Sequence, residues 1–117
     1  MKLTKGMTVE QISDAIRQHL QTAQYIGDGI LRIKAPVSAI HVGDTDKVSI
    51  QASESHYSKP REDDAIYTHI EIGFPSFQFS KEFIDKYAED INEPTETVYG
   101  YVPLELTAQE IYHYLNK

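Results

Sequence analysis

Cysteine is absent from this chain of 117 residues. Without a thiol, the chain can form no disulfide, use no thiolate nucleophile and build no cysteine-based zinc site. Residues 1–7 also lack the apolar h-region of a secretory signal. Together these absences predict a cytoplasmic protein. No apolar run approaches the ~18 residues that a membrane span needs, so no membrane partner is expected.

Positive charge is also scarce, because 11 basic side chains stand against 18 acidic ones and give a net charge of −7. Residues 1–34 hold five basic and three acidic side chains, whereas residues 35–117 hold six and fifteen. An acidic surface repels phosphate backbones, so direct binding of nucleic acid is not expected. The densest acidic cluster consists of Asp85, Glu89, Asp90, Glu93 and Glu96. Lys86 is the only basic residue among them.

The acidic cluster has two interpretations. It can be a solvated face that keeps the protein soluble, or it can be the surface that docks a basic protein partner.

Three segments have the pattern of helices. The first begins with a capping box at Thr8 and Gln11, and its apolar residues recur at helical spacing as far as Ala23. Ser80 is the predicted cap of a second helix, whose apolar stripe runs to Ile91. A further capping-box pattern predicts that the last helix begins at Thr107.

Strands are predicted from apolar alternation with a period of two. The clearest example is the stretch from residue 66, whose buried face should carry Ile66, Thr68, Ile70, Ile72 and Phe74. After Gly73 and Pro75 the apolar register moves to odd positions, so the chain should change direction there. Other candidate strands are residues 30–35, 37–42, 47–53 and 97–102, and Ile30 and Ile33 should need cover from a helix.

The order of these elements predicts the fold class. Hairpin connections dominate the middle of the chain, and the apolar sheet face needs helices against it. We expect an α+β two-layer sandwich with a largely antiparallel sheet of four to five strands and about three helices. A chain of this length should form a single domain over residues 1–117.

His69 and Glu71 form the closest pair of side chains with catalytic chemistry. They lie two residues apart on one strand, so both should face the same side, where a carboxylate can orient an imidazole for acid–base work. The polar stretch of residues 54–64 supplies His56, Lys59 and Arg61 beside them. Together they allow a hypothesis of a small enzyme acting on a phosphorylated or nucleotide-like substrate. The alternative is an exposed polar pair under a mobile connector.

No pattern predicts a metal or a cofactor. The five histidines are not spaced as metal ligands, and the glycines form neither a phosphate-binding loop nor a dinucleotide turn. No serine stands in a nucleophile elbow.

Eight tyrosines are many for this length, and Tyr99 and Tyr101 should share one strand face. Tyrosine suits half-buried positions and interfaces. They can line the edge of the core, or form a binding surface with the acidic cluster or a contact in a homo-oligomer.

The pattern as a whole favours a small, acidic, non-catalytic protein-binding module. Its expected partner is a basic protein that handles nucleic acid. By analogy of size and charge alone, such a chain could be an accessory protein or inhibitor from a phage or mobile element.

Overall fold

The computed structural model describes residues 1–117, which form seven strands and three helices. In chain order they are β1 (Lys2–Leu3), α1 (Val9–Leu20), β2 (Tyr25–Ile26), β3 (Ile33–Lys34), β4 (Ile40–Val42), β5 (Asp46–Gln51), β6 (His69–Gly73), α2 (Lys81–Tyr87), β7 (Val98–Pro103) and α3 (Leu104–Leu115). None of the helices is long and apolar enough to span a bilayer.

The main sheet has five strands in the order β1–β4–β5–β6–β7, and β2 and β3 form a separate two-stranded sheet. Three pairings of the main sheet are antiparallel, with Ile40 opposite Val48 and Ile50 opposite Ile72. The edge strand β1 pairs with β4 in parallel, because α1 carries the chain across before it returns. The predicted α+β class is therefore confirmed, and the sheet is mixed.

One continuous core of 21 buried apolar residues joins the sheet to the helices. Helices α1 and α3 pack against each other, with Ile12, Ile16 and Ile111 fully buried. Ile50 and Ile70 are buried from the sheet side, as the alternation predicts.

Two of the three predicted helix caps are confirmed. The Thr8 hydroxyl accepts the Gln11 amide at 3.1 Å, and the Gln11 side chain accepts the Thr8 amide at 2.9 Å. Ser80 caps α2 through the Phe83 amide at 3.3 Å.

The predicted start of the last helix at Thr107 is wrong. Helix α3 begins at Leu104, after Pro103, whose restricted φ suits the entry to a helix. Thr107 lies inside the helix and donates its hydroxyl to the Pro103 carbonyl at 3.1 Å.

The buried face predicted from residue 66 is wrong at three of its five positions. Strand β6 begins only at His69, and Ile66, Thr68 and Phe74 are exposed while Tyr67 is buried. Before the strand, the Tyr67 side chain is buried and donates its hydroxyl to the Glu62 carbonyl. Its neighbours in the chain, Ile66 and Thr68, are therefore exposed to solvent. Beyond the strand, Phe74 adopts a φ of 46°, and this breaks the alternation before Phe77 and Phe79 turn into the core.

Residues 30–35 do not form the predicted buried strand. Gly29–Leu31 is a single 3-10 turn, and the short strands β2 and β3 on either side pair as a hairpin that leaves the main sheet. Ile30 and Ile33 are exposed and have no lid, contrary to the prediction. Gly27 is required in this hairpin, because its φ is 86° and a Cβ atom would lie 2.5 Å from the Leu31 carbonyl oxygen. We call residues 25–34 the arm.

Candidate functional site

The acidic cluster lies on the last turn of α2 and the loop that follows it, residues 85–96, which we call the acidic segment. Helix α2 ends at Tyr87, so the predicted continuation of its apolar stripe to Ile91 is wrong and Ile91 is exposed. All five predicted carboxylate residues are exposed on this segment: Asp85, Glu89, Asp90, Glu93 and Glu96.

Hydrogen bonds order the backbone of the acidic segment. The amide of Glu89 donates to the Val98 carbonyl at 3.0 Å, and the amide of Asp90 donates to the Thr97 hydroxyl at 3.1 Å. Within the loop, the Glu96 amide donates to the Glu93 carbonyl at 2.9 Å. The loop therefore has a defined shape, which the sequence pattern does not reveal.

The buried side chain of Tyr99 connects the acidic segment to the core. Its ring is 0% exposed and packs among Phe79 and Phe83, and its hydroxyl donates to the Pro94 carbonyl at 2.6 Å. Burial raises the pKa of the Tyr99 phenol to about 12. The prediction that Tyr99 is a surface contact is therefore wrong, because its side chain belongs to the core.

Tyr101 does not share a face with Tyr99, contrary to the sequence prediction. The pairing of Ile70 with Val102 and of Ile72 with Tyr99 leaves one extra residue in β7, a β-bulge over Gly100 and Tyr101. The bulge resets the alternation and gives Tyr101 a φ of 52°. Tyr101 is exposed and packs on Tyr57, with 5.6 Å between the ring centroids.

Most of the negative charge on the acidic segment has no nearby cation. Asp85 pairs with Lys81 at 2.6 Å, and the hydrogen bond to the Asp85 carboxylate raises the pKa of the Lys81 ammonium. None of the other four carboxylates takes part in an ion pair. The only lysine within the segment, Lys86, lies over the Tyr87 ring at 5.4 Å. The surface of the segment therefore has a concentrated negative potential.

His69 and Glu71 are each engaged elsewhere, and no hydrogen bond joins them. The Glu71 carboxylate accepts the Tyr57 amide at 2.9 Å, and His69 Nδ1 lies 2.8 Å from the Thr68 hydroxyl. Glu71 therefore serves to hold the loop of residues 54–64 against the sheet.

Two of the three basic side chains of the loop, those of His56 and Arg61, are also engaged in contacts within the loop or to its base. His56 Nδ1 lies 2.6 Å from the buried Ser53 hydroxyl, and the Arg61 guanidinium donates to the Glu54 carbonyl at 3.1 Å. The Lys59 amide donates to the His69 carbonyl at 3.0 Å. The loop is thus fastened at several points. No group of three or more His, Asp or Glu side chains converges as metal ligands would.

The fold and this surface define a small α+β protein with one exposed acidic segment whose backbone is hydrogen-bonded. No protein-family model matches the chain, and no curated protein or solved structure matches it significantly. Its function is therefore inferred from the geometry of its own residues.

Proposed function

We propose that this protein is a non-catalytic binding module whose acidic segment docks on a basic surface of a partner protein. The observation that carries the proposal is the exposure of five carboxylate residues on a segment whose backbone is hydrogen-bonded into one shape. A preorganised loop loses little conformational entropy when it binds, so more of the contact energy contributes to affinity.

The middle of the acidic segment adds an apolar contact. Ile91 is 52% exposed, with Asp90 before it in the chain and Glu93 two residues after it. Interfaces commonly combine an apolar centre, which provides affinity, with a charged rim, which speeds and orients association. Ile91 and the surrounding carboxylates match that arrangement.

The partner class that fits best is a basic protein that handles nucleic acid. Lysine and arginine side chains that bind phosphates would also bind these carboxylates, so the module would compete with nucleic acid for the same surface. An inhibitor or accessory protein of a phage or mobile element, working in the cytoplasm, would act in this way.

The alternative of a small phosphoester or nucleotide enzyme has weaker support. It requires His69 and Glu71 to act on a substrate together, whereas the Glu71 carboxylate already accepts the Tyr57 amide and no hydrogen bond joins the pair. We therefore do not propose it.

The proposal is tested by charge reversal with a matched control. The variant Glu89→Lys/Glu93→Lys changes the acidic segment, and Glu10→Lys/Glu54→Lys makes the same change of net charge at exposed positions elsewhere. Immobilised wild-type and variant proteins are used for pull-down from host cells, and retained proteins are identified by mass spectrometry.

We expect a basic protein that the wild type and the control retain and the segment variant loses. Its association rate with the wild type should fall steeply with salt, and the segment variant should associate more slowly with a flatter salt dependence. Equal binding of all three proteins at low and high salt would exclude the acidic segment as the docking site.

A further inference from the structure

The arm, residues 25–34, is firmly attached to the body at its root. The Tyr25 hydroxyl donates to the Asp64 carboxylate, and the Lys34 ammonium lies 3.3 Å from the Tyr67 hydroxyl and 3.5 Å from the Ala52 carbonyl. The Arg32 guanidinium stacks on the Tyr25 ring at 3.6 Å from its centroid. The contacts of Tyr25 and Lys34 give the root of the arm a defined position on the body, and the stacking of Arg32 on Tyr25 lies within the arm.

The rest of the arm is apolar and open to solvent. Ile30 and Leu31 at the tip are 101% and 74% exposed. Ile26 and Ile33 are also exposed, and they face each other across the two strands of the hairpin. Contiguous exposed aliphatic side chains of this kind mark interaction sites.

A cavity of about 390 Å³ lies beside the root of the same arm. Leu20, Ile66 and Tyr67 form its apolar wall, and Arg17, Lys34 and Asp64 add charge. Because Lys34 and Asp64 both line the cavity and anchor the arm, the cavity is at the opposite end of the arm from Ile30 and Leu31. Within one chain, the tip points away from the cavity.

We propose that two copies of this chain form a dimer by exchanging arms. A two-fold axis through the Ile26–Ile33 pair places the tip of each arm at the root of the other. Ile30 and Leu31 then fill the cavity of the partner subunit, and the two Ile26–Ile33 pairs pack on each other across the axis. Each cavity is complete only when the second copy is present.

Charge complementarity supports a second copy as the occupant. Asp28 lies at the tip, is exposed, and makes no side-chain hydrogen bond to cap the 3-10 turn. Lys34 in the cavity lies near the Ala52 carbonyl and the ring and hydroxyl of Tyr67, and it takes part in no ion pair. Arm exchange brings the Asp28 carboxylate of one copy to the Lys34 ammonium of the other.

Sedimentation velocity over a range of concentrations tests the dimer. The wild type should dimerise, and Ile30→Asp/Leu31→Asp should weaken association by at least about 100-fold, because two aliphatic side chains per subunit lose their cover. The control Phe74→Asp alters an exposed apolar side chain outside the arm and outside the acidic segment, and it should dimerise as the wild type does. Circular dichroism establishes that each variant is folded. A wild type that stays monomeric, even if it binds phosphatidylcholine–phosphatidylglycerol vesicles through Ile30, would overturn the proposal.

A charge exchange tests the arrangement itself. Asp28→Lys alone and Lys34→Asp alone should each dimerise weakly, since each places like charges at both tip contacts. An equimolar mixture of the two variants should restore association, because both contacts of the mixed dimer then join opposite charges. A wild-type dimer that both variants form unchanged, or a mixture no better than its components, would contradict arm exchange.

A cysteine cross-link provides a third readout, which the absence of native cysteine makes unambiguous. Oxidation of Leu31→Cys/Ile66→Cys should give a covalent dimer, since the tip of one copy meets the cavity wall of the other. Leu31→Cys/Phe74→Cys, with the second cysteine at an exposed position beyond the other end of β6, is the control and should remain a monomer on a denaturing gel. A covalent dimer that forms equally in both variants would indicate random collision and count against the proposal.

Discussion

At the scale of single residues, Tyr99 illustrates how a core side chain can control a surface. The ring is buried among aromatic neighbours, and the hydroxyl reaches the Pro94 carbonyl in the acidic segment. Sequence alternation places Tyr99 and Tyr101 on one face, but the bulge at Gly100 and Tyr101 separates them. A bulge depends on how two strands register with each other, which a period-two pattern in one strand cannot reveal.

Replacing Tyr99 with phenylalanine should loosen the acidic segment and leave the core packed. Tyr99→Phe removes one hydrogen bond and should lower the free energy of unfolding by about 1 kcal/mol. Hydrogen exchange at the Glu93 and Glu96 amides should become faster, because the loop loses its attachment to the core. The matched control is Tyr101→Phe, whose exposed hydroxyl makes no hydrogen bond and whose loss should leave those exchange rates unchanged. Equal exchange in both variants would contradict an anchoring role for Tyr99.

Glu105 should contribute stability that depends on pH. The hydrogen bonds from Arg17 at 2.7 Å and from the buried Ser13 hydroxyl at 3.0 Å hold the pKa of the Glu105 carboxyl below its usual value of 4.5. Because folding favours the charged carboxylate, its contribution is fully present above pH 4.5 and is lost as the pH falls through the lower, folded-state pKa.

The corresponding measurement is denaturant unfolding of Glu105→Gln at two pH values. At pH 7 the variant should be less stable than the wild type by no more than about 1 kcal/mol, since the ion pair is largely exposed. Near pH 3 the difference should shrink. Glu54→Gln, which removes an exposed carboxylate that lies outside any helix and forms no ion pair, is the control and should show no such dependence. A difference that stays constant with pH would mean that the charge of Glu105 does not contribute.

At the scale of elements, a capping-box pattern predicts the start of a helix correctly where the side chains of the pattern bond each other. The capping box of Thr8 and Gln11 spans four residues and forms as the sequence predicts. The similar pattern of Thr107 and Glu110 misleads, because the Glu110 carboxylate accepts the amide and hydroxyl of Ser80, 30 residues away. A contact over that distance depends on the packing of α3 near the start of α2, which no local pattern contains.

The same distinction explains the strands. Residues 47–53 pair largely as expected, since a turn and alternating residues specify that hairpin locally. Residues 30–35 are rich in apolar side chains, and the sequence predicts a buried strand there, but they form an arm outside the core. Apolar composition alone does not decide whether a segment is buried, because much of the surface of a folded protein is also apolar.

Removing the confirmed cap should weaken the first helix. Thr8→Ala eliminates the hydroxyl that accepts the Gln11 amide and should cost about 1 kcal/mol of stability. Thr45→Ala, at an exposed position in the turn between β4 and β5, is the control and should change stability by about 0.5 kcal/mol or less. Thermal or denaturant unfolding of the two variants compares them directly. Equal stabilities would show that the cap contributes nothing measurable.

At the scale of the whole molecule, charge and apolar surface are segregated. The acidic segment follows α2, whereas the exposed isoleucines and leucine of the arm lie in the part of the chain with excess positive charge. The acidic cluster is visible in the sequence as closely spaced acidic residues. The hydrogen bonds that order its backbone are not visible there. The sequence pattern assigned Ile30 and Ile33 to the core, because alternation and composition cannot distinguish a core face from an exposed apolar face.

Ile66 and Ile70 provide the sharpest test of the difference between a core face and an exposed apolar face, because the sequence assigns both residues to one buried face. Ile70 is 0% exposed in the core and Ile66 is 81% exposed at the wall of the cavity. Ile70→Asp should therefore destabilise the domain by several kcal/mol, because it places a charge where water cannot reach. Ile66→Asp should change the stability of the monomer by about 0.5 kcal/mol or less when both proteins are unfolded at high dilution. Arm exchange predicts that the melting temperature of the wild type rises with protein concentration, whereas that of Ile66→Asp does not. If Ile66→Asp destabilises the dilute protein as much as Ile70→Asp does, the wall of the cavity is part of the core. The cavity could then not accept the tip of a second copy, and arm exchange would be contradicted.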